Sequence, residues 1–168
     1  WVMSGFARFA IYVVPDGPLA DWGAAWLGWD VRRGRKVRHP DAGLDVAALT
    51  EAPRPYGLHG TIKPPFRLAG YVGALDRAVR SLCAALPPVT LDGLELARLG
   101  RFLALRPVGE VGALSALAAS VVSGLDSFRV PPTEAELARR RAAGLTARQE
   151  ALLVEFGYPY VMEEFRFH

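Results

Sequence analysis

Proline pairs and glycine turns cut this chain into short pieces, and between the cuts the apolar residues change period. Pro15-Asp16-Gly17-Pro18 closes a β-prone apolar run from Phe6 to Val14, which reads as a strand and a turn. Pro64-Pro65 follows the run from Gly57 to Lys63 and is expected to stop that strand, because proline donates nothing to a ladder. Leu75, Val79, Leu82 and Leu86 recur at helical spacing before Pro87-Pro88. A chain that alternates between the two periods in this way must interleave strands with helices, so the expected class is α+β or mixed α/β.

The remaining segments follow the same logic. Leu19 to Trp29 reads as a helix with Trp22, Trp26 and Trp29 on one face, packed into the core. Residues 30–56 hold glycine, proline and charge, and read as loop with one helical turn. Val89 to Ala97 and Arg101 to Arg106 read as two strands around Gly100. Val111, Leu114, Leu117, Ala118, Val121, Val122 and Leu125 trace one face of an amphipathic helix. Thr133-Glu134-Ala135-Glu136 and Thr146-Ala147-Arg148-Gln149 match capping boxes, so helices should begin near 134 and 147. Gly144 and Gly157 are natural stops for them, and Val161 to His168 reads as a last strand.

Composition narrows the function classes. At 168 residues with 51% apolar content, the chain suits one domain, or one domain made of two similar lobes. No apolar run approaches the ~20 residues of a membrane span, and the first residues lack the apolar centre of a signal peptide; a soluble, cytoplasmic protein is expected. The single cysteine, Cys83, rules out an internal disulfide and a thiolate-rich metal site, and its apolar helical context suggests a buried core residue. The formal charge of +3 suits an anionic substrate without demanding nucleic acid. Two basic clusters stand out: Arg32, Arg33, Arg35, Lys36 and Arg38, which read as solvated surface, and Arg139, Arg140 and Arg141.

Only three histidines are available: His39, His59 and His168. His39 precedes Pro40 in the basic loop and reads as exposed. In His59-Gly60-Thr61-Ile62-Lys63 a strand would turn Leu58, Gly60 and Ile62 to the core and His59, Thr61 and Lys63 to the other face. That face offers an imidazole that moves protons near neutral pH, with a hydroxyl and an ammonium that can hold phosphoryl oxygens. An edge strand with a polar outer face is the bland alternative. In Glu164-Phe165-Arg166-Phe167-His168 the phenylalanines would face the core, with Glu164, Arg166 and His168 opposite. Two such strands side by side would set a general base and a general acid across one pocket.

The blocks that carry these histidines resemble a known family. Arg54-Pro55-Tyr56-Gly57-Leu58-His59-Gly60-Thr61-Ile62-Lys63-Pro64-Pro65-Phe66 resembles the first His-x-Thr motif of the two-histidine (2H) phosphoesterases, closest to the branch found in bacterial phosphonate-utilisation operons. Gly157-Tyr158-Pro159-Tyr160-Val161-Met162-Glu163-Glu164-Phe165-Arg166-Phe167-His168 resembles the run into the second motif. Arg8 to Tyr12, Phe102 to Pro107 and Glu136 to Arg141 resemble the same branch, so the likeness covers nearly the whole chain. In the family the second motif continues to a threonine two residues beyond its histidine; the sequence here ends at His168.

The resemblance implies a bilobal α+β fold of two pseudo-symmetric lobes, with two antiparallel sheets lining a central cleft and helices outside. It implies metal-independent cleavage of a cyclic phosphate or related phosphodiester, without a cofactor. His59 and His168 would share acid and base roles, and Thr61 would hold a non-bridging oxygen. Lys63, Arg166 and Arg106 are the candidate cations, and Tyr56, Tyr158 and Tyr160 the candidate pocket walls. The operon resemblance points to a small phosphorylated substrate such as a ribose cyclic phosphate. RNA 2′,3′-end processing is the alternative. Two further readings compete: a metal hydrolase adding Glu163 or Glu164 as ligand, and a non-catalytic RNA- or nucleotide-binding module using the Arg32 to Arg38 loop. Nothing in the sequence indicates oligomeric state.

Overall fold

Strand β1 (Arg8–Val13) and helix α1 (Gly17–Leu27) meet at the Pro15 to Pro18 turn, with a proline in the first turn of the helix, where its missing N–H is no loss. The computed structural model describes residues 7–168; Phe6 and the leading residues weighed against a signal peptide lie outside them. The described chain continues through β2 (Trp29–Asp30), β3 (Arg35–Lys36), α2 (Val46–Leu49), β4 (Gly60–Arg67), α3 (Val72–Ala85), β5 (Gly93–Leu99), β6 (Phe102–Val108), α4 (Gly112–Gly124), α5 (Glu134–Arg141) and α6 (Ala147–Phe156). The class is α+β. Among the described residues the strands form three two-stranded sheets, β1–β4, β2–β3 and β5–β6, rather than two larger ones; the last two are antiparallel.

Two compact units divide the described chain. One joins the residues up to Ile11 with Thr61–His168; the other is Tyr12–Gly60.

In the larger unit, Ile62 and Phe66 from β4 pack with Leu75 of α3 and with Leu114, Ala118 and Val121 of α4. Phe9 and Ile11 of β1 and Phe165 and Phe167 of the C-terminal segment pack against this cluster. A second cluster forms from Val122, Leu152 and Val161. Helix α4 thus buries two sides of its surface, as its broad apolar face requires. Both capping boxes form, Thr133 with Glu136 and Thr146 with Gln149. Gly157 ends α6 in the left-handed conformation, whereas α5 closes before Gly144 is reached.

In the smaller unit the run 30–56 is more structured than its composition suggests. Asp30 accepts from the backbone N–H groups of Arg32 and Arg33 and from the Arg33 guanidinium, which folds the basic stretch into the β2–β3 hairpin around Gly34. Arg54 donates to the carbonyls of Leu27 and Ala47, tying the end of α1 to α2.

Several expectations need correction. Strand β4 runs through Pro64-Pro65 to Arg67. In a two-stranded sheet each strand keeps one open edge, and successive residues aim at opposite edges, so the two rings together remove at most one ladder bond. The 161–168 segment is not a strand: Met162–Glu164 is a 3-10 turn, and the residues after it pair with no strand among the described residues. Trp22 is 52% exposed and Trp29 has left the helix for β2, so no three-tryptophan core stripe exists. Cys83 is exposed, because it sits a third of a turn round from Leu82, off the buried face. His39 is half-buried; its Nδ1 donates to the Trp26 carbonyl at 3.0 Å, and its ring lies where a Gly28 side chain would be. It caps the end of α1.

Candidate functional site

His59 stands one residue before β4. Three contacts within the smaller unit fix the approach to it. Gly57 has φ +68°, and a side chain there would meet Val31 at 2.6 Å. Leu58 packs into α1 at Gly23, where an added Cβ would come within 2.5 Å of it. The preceding 3-10 turn, Arg54–Tyr56, is held by the Arg54 clamp. With Leu58 anchored inward, His59 turns the other way.

The imidazole lies between two phenols. Its ring stacks on Tyr12 at 4.0 Å between centroids with the planes 27° apart, and Tyr56 stands 6.3 Å away, tilted. Nδ1 lies 2.9 Å from the Gly57 carbonyl oxygen. A carbonyl only accepts, so Nδ1 carries the proton and the neutral ring presents a lone pair at Nε2. Burial pushes the Tyr12 phenol above its ordinary range, and the neighbouring Tyr56 adds to the shift. Tyr12 was missed in the sequence, although the alternation of β1 already separates Arg8, Ala10 and Tyr12 from core-facing Phe9 and Ile11.

His168, in the larger unit, repeats the local geometry. Its Nδ1 lies 3.0 Å from the Arg166 carbonyl, again two residues back, and the residue is exposed. Its ring tilts against Phe102 at 5.8 Å. The expected alternation holds from Phe165 to His168 without a strand and fails at Glu164: Phe165 and Phe167 are half-buried, Arg166 and His168 exposed. Glu164 is half-buried and accepts from Gln149, and Glu163 pairs with Arg148.

Thr61 is half-buried, and its hydroxyl bonds to none of the described side chains. Lys63 does not share an open face with it. It is 2% exposed, with Nζ 2.9 Å from the Val122 carbonyl and 3.4 Å from Asp126, because the proline-bearing strand carries it under α4. Burial lowers the Lys63 pKa against the pull of Asp126. Burial raises Asp126 in turn, but two hydrogen bonds from Arg129 and the Arg129 and Lys63 charges outweigh it and hold the carboxyl below its ordinary value.

The other candidates are dispersed. Arg106 pairs with its cross-strand neighbour Glu95 at 2.7 Å, on the hairpin face that also carries Phe102. Arg166 folds back on the carbonyls of Glu163 and Phe165. Tyr158 and Tyr160 meet edge to face at 5.8 Å, while Tyr56, 59% exposed, belongs to the surroundings of His59. His59 and His168 belong to different units. No group of three or more His, Cys, Asp or Glu side chains converges as metal donors among the described residues, and none of the described helices is long and apolar enough to cross a membrane.

An α+β chain with a tyrosine-flanked histidine, its Nδ1 tied to a carbonyl and Nε2 left as the accepting nitrogen, carries a group able to transfer protons. Its family is shown by comparison. The chain belongs to the family described as "Protein of unknown function (DUF1045)", whose model matches residues 61–168. A Janthinobacterium sp. (strain Marseille) protein named ribose 1,5-bisphosphate phosphokinase PhnN is 41% identical over 173 residues, covering 98% of this chain and 38% of that one. A protein of the same name from Laribacter hongkongensis (strain HLHK9) is 36% identical over 168 residues, covering 96% of this chain and 38% of its own. The chain thus spans well under half the length of these bacterial relatives. No solved structure matches it.

Proposed function

We propose that the protein is a metal-independent phosphoesterase that opens a cyclic phosphate on a phosphorylated sugar, within bacterial phosphonate metabolism. The observation that carries this reading is the shared state of His59 and His168: each Nδ1 donates to the carbonyl two residues earlier, which leaves each Nε2 free to take or give a proton. One imidazole removes a proton from water as its oxygen attacks phosphorus. The bond from phosphorus to the leaving oxygen breaks, and the other imidazole, protonated, delivers its proton to that oxygen. Thr61 donates to a non-bridging oxygen, and Tyr12 and Tyr56 wall the His59 imidazole. Among the three candidate cations, Arg166 is the best suited to meet phosphate: Lys63 and Arg106 already face carboxylates, and Arg166 faces none among the described residues.

The relatives' name supports a phosphorylated ribose as substrate and favours a second reading, phosphoryl transfer from a nucleotide. The commonest cradle for that chemistry is a glycine-rich loop ending Gly-Lys-Ser/Thr. The only lysines here, Lys36 and Lys63, follow Arg35 and Ile62, so the chain contains no such loop. One experiment separates the readings. Full-length protein is offered ribose 1,2-cyclic phosphate, nucleoside 2′,3′-cyclic phosphates, short RNA ends, and ribose 1,5-bisphosphate with ATP. Ring opening of a cyclic sugar phosphate, unaffected by chelator, is expected, and His59→Ala or His168→Ala should each slow it by about 10²–10⁴-fold. Wild-type turnover by His59→Ala, or product only in the presence of ATP, would overturn the proposal.

A further inference from the structure

The larger unit has an open cleft with no histidine in its lining, formed by Arg8, Lys63, Arg67, Arg129, Arg140 and Glu136, with Tyr158 and Phe156 among its apolar walls. Its charges are unequal. Lys63 and Arg129 are committed to Asp126 behind the wall. Arg8 and Arg67 share the single carboxylate of Glu136, at 3.5 and 3.4 Å. That carboxylate already accepts from the Thr133 backbone N–H and hydroxyl at the start of α5. Arg140 lies 4.4 Å above the centre of the Tyr158 ring and has no carboxylate partner among the described residues. Arg129 aside, three guanidinium groups therefore line one cleft with one borrowed counter-charge between them.

We propose that this cleft is a binding site for a phosphate monoester, held by Arg8, Arg67 and Arg140. Guanidinium forks match phosphate oxygens in pairs, and an arginine preset on an aromatic face loses little freedom on binding. A small anion is favoured over RNA because the cations line a single cleft instead of following a stripe with successive stacking platforms. The site does not depend on the roles proposed for His59 and His168.

The test is titration of full-length protein with inorganic phosphate and with ribose 5-phosphate by calorimetry at low salt. Binding that weakens as salt is raised is expected. Arg67→Met and Arg140→Met should each weaken it about tenfold, the worth of one charge-assisted contact, and Arg140→Lys should lose less than Arg140→Met. Arg140→Met keeps the aliphatic stem against Tyr158, so the fold survives; an unchanged thermal melt checks this. Glu136→Gln keeps an acceptor for Thr133 while removing the competing charge, and should tighten phosphate binding. Binding insensitive to Arg67→Met and Arg140→Met, or weakened by Glu136→Gln, overturns the proposal. So does a short RNA that occupies the cleft and is not displaced by phosphate.

Discussion

Two phenols and one carbonyl decide what the imidazole of His59 can do. The Gly57 carbonyl selects the tautomer, and the Tyr12 ring holds its plane. Tyr12→Phe preserves the stack and loses only the hydroxyl, so it should reduce turnover far less than Tyr12→Ala, which frees the ring. A comparison of kcat for the two variants on the cyclic phosphate decides this; equal losses would show that the wall does not matter. Burial first, and Tyr56 second, raise the Tyr12 phenol. An ultraviolet titration should therefore show one tyrosine ionising above the ordinary value of about 10, shifted part of the way back in Tyr56→Phe. Both histidines and Thr61 were readable from the sequence as candidates. Tyr12 was not, because its partner lies 47 positions away and the sequence does not record that strand β1 ends beside the turn that carries His59.

Elements in this chain begin and end where local chemistry says they should, and fail where an edge or a neighbour overrides it. The two capping boxes are local, so each formed as read. Thr146→Ala removes one acceptor at the head of α6 and should cost about 1 kcal/mol in chemical denaturation. Gly57 is a different case, since it combines φ +68° with a 2.6 Å approach to Val31. Gly57→Ala should destabilise by more than about 1 kcal/mol and should also lower turnover, because the turn aims His59; a stable but fully active variant would contradict that link. Pro64-Pro65 misled because a proline pair stops a central strand and not one with an open edge. The C-terminal segment misled because period-2 alternation records which side chains face the core, while a strand also needs a partner for its backbone.

Across the larger unit, the Lys63–Asp126–Arg129 cluster, built on a buried lysine, decides how the protein responds to pH and to charge removal. Asp126 has a depressed pKa in the fold, so its stabilisation is complete above the ordinary aspartate value of about 4 and is lost as pH falls from there through the lower folded value. Lys63 has a lowered pKa, so the folded lysine releases its proton before the unfolded one, and its contribution improves as pH rises toward its ordinary value of about 10.4. Asp126→Asn strands a lysine that is 2% exposed and should cost about 3 kcal/mol, the low end for breaking a buried pair because Asp126 itself is partly wet. Lys63→Met leaves Asp126 still bonded twice to Arg129 and should cost much less. Urea denaturation at pH 7 and pH 3 reads both: equal costs, or an unreduced acid slope in Asp126→Asn, would refute this account. The sequence by itself determined the class of fold, the helix starts and the candidate histidines, because periodicity, caps and residue chemistry act over a few positions. Only the tertiary structure decided that Lys63 is buried within an ion cluster, that Tyr12 stacks on His59 and that Arg8, Arg67 and Arg140 line one cleft, because each depends on which distant backbone passes alongside.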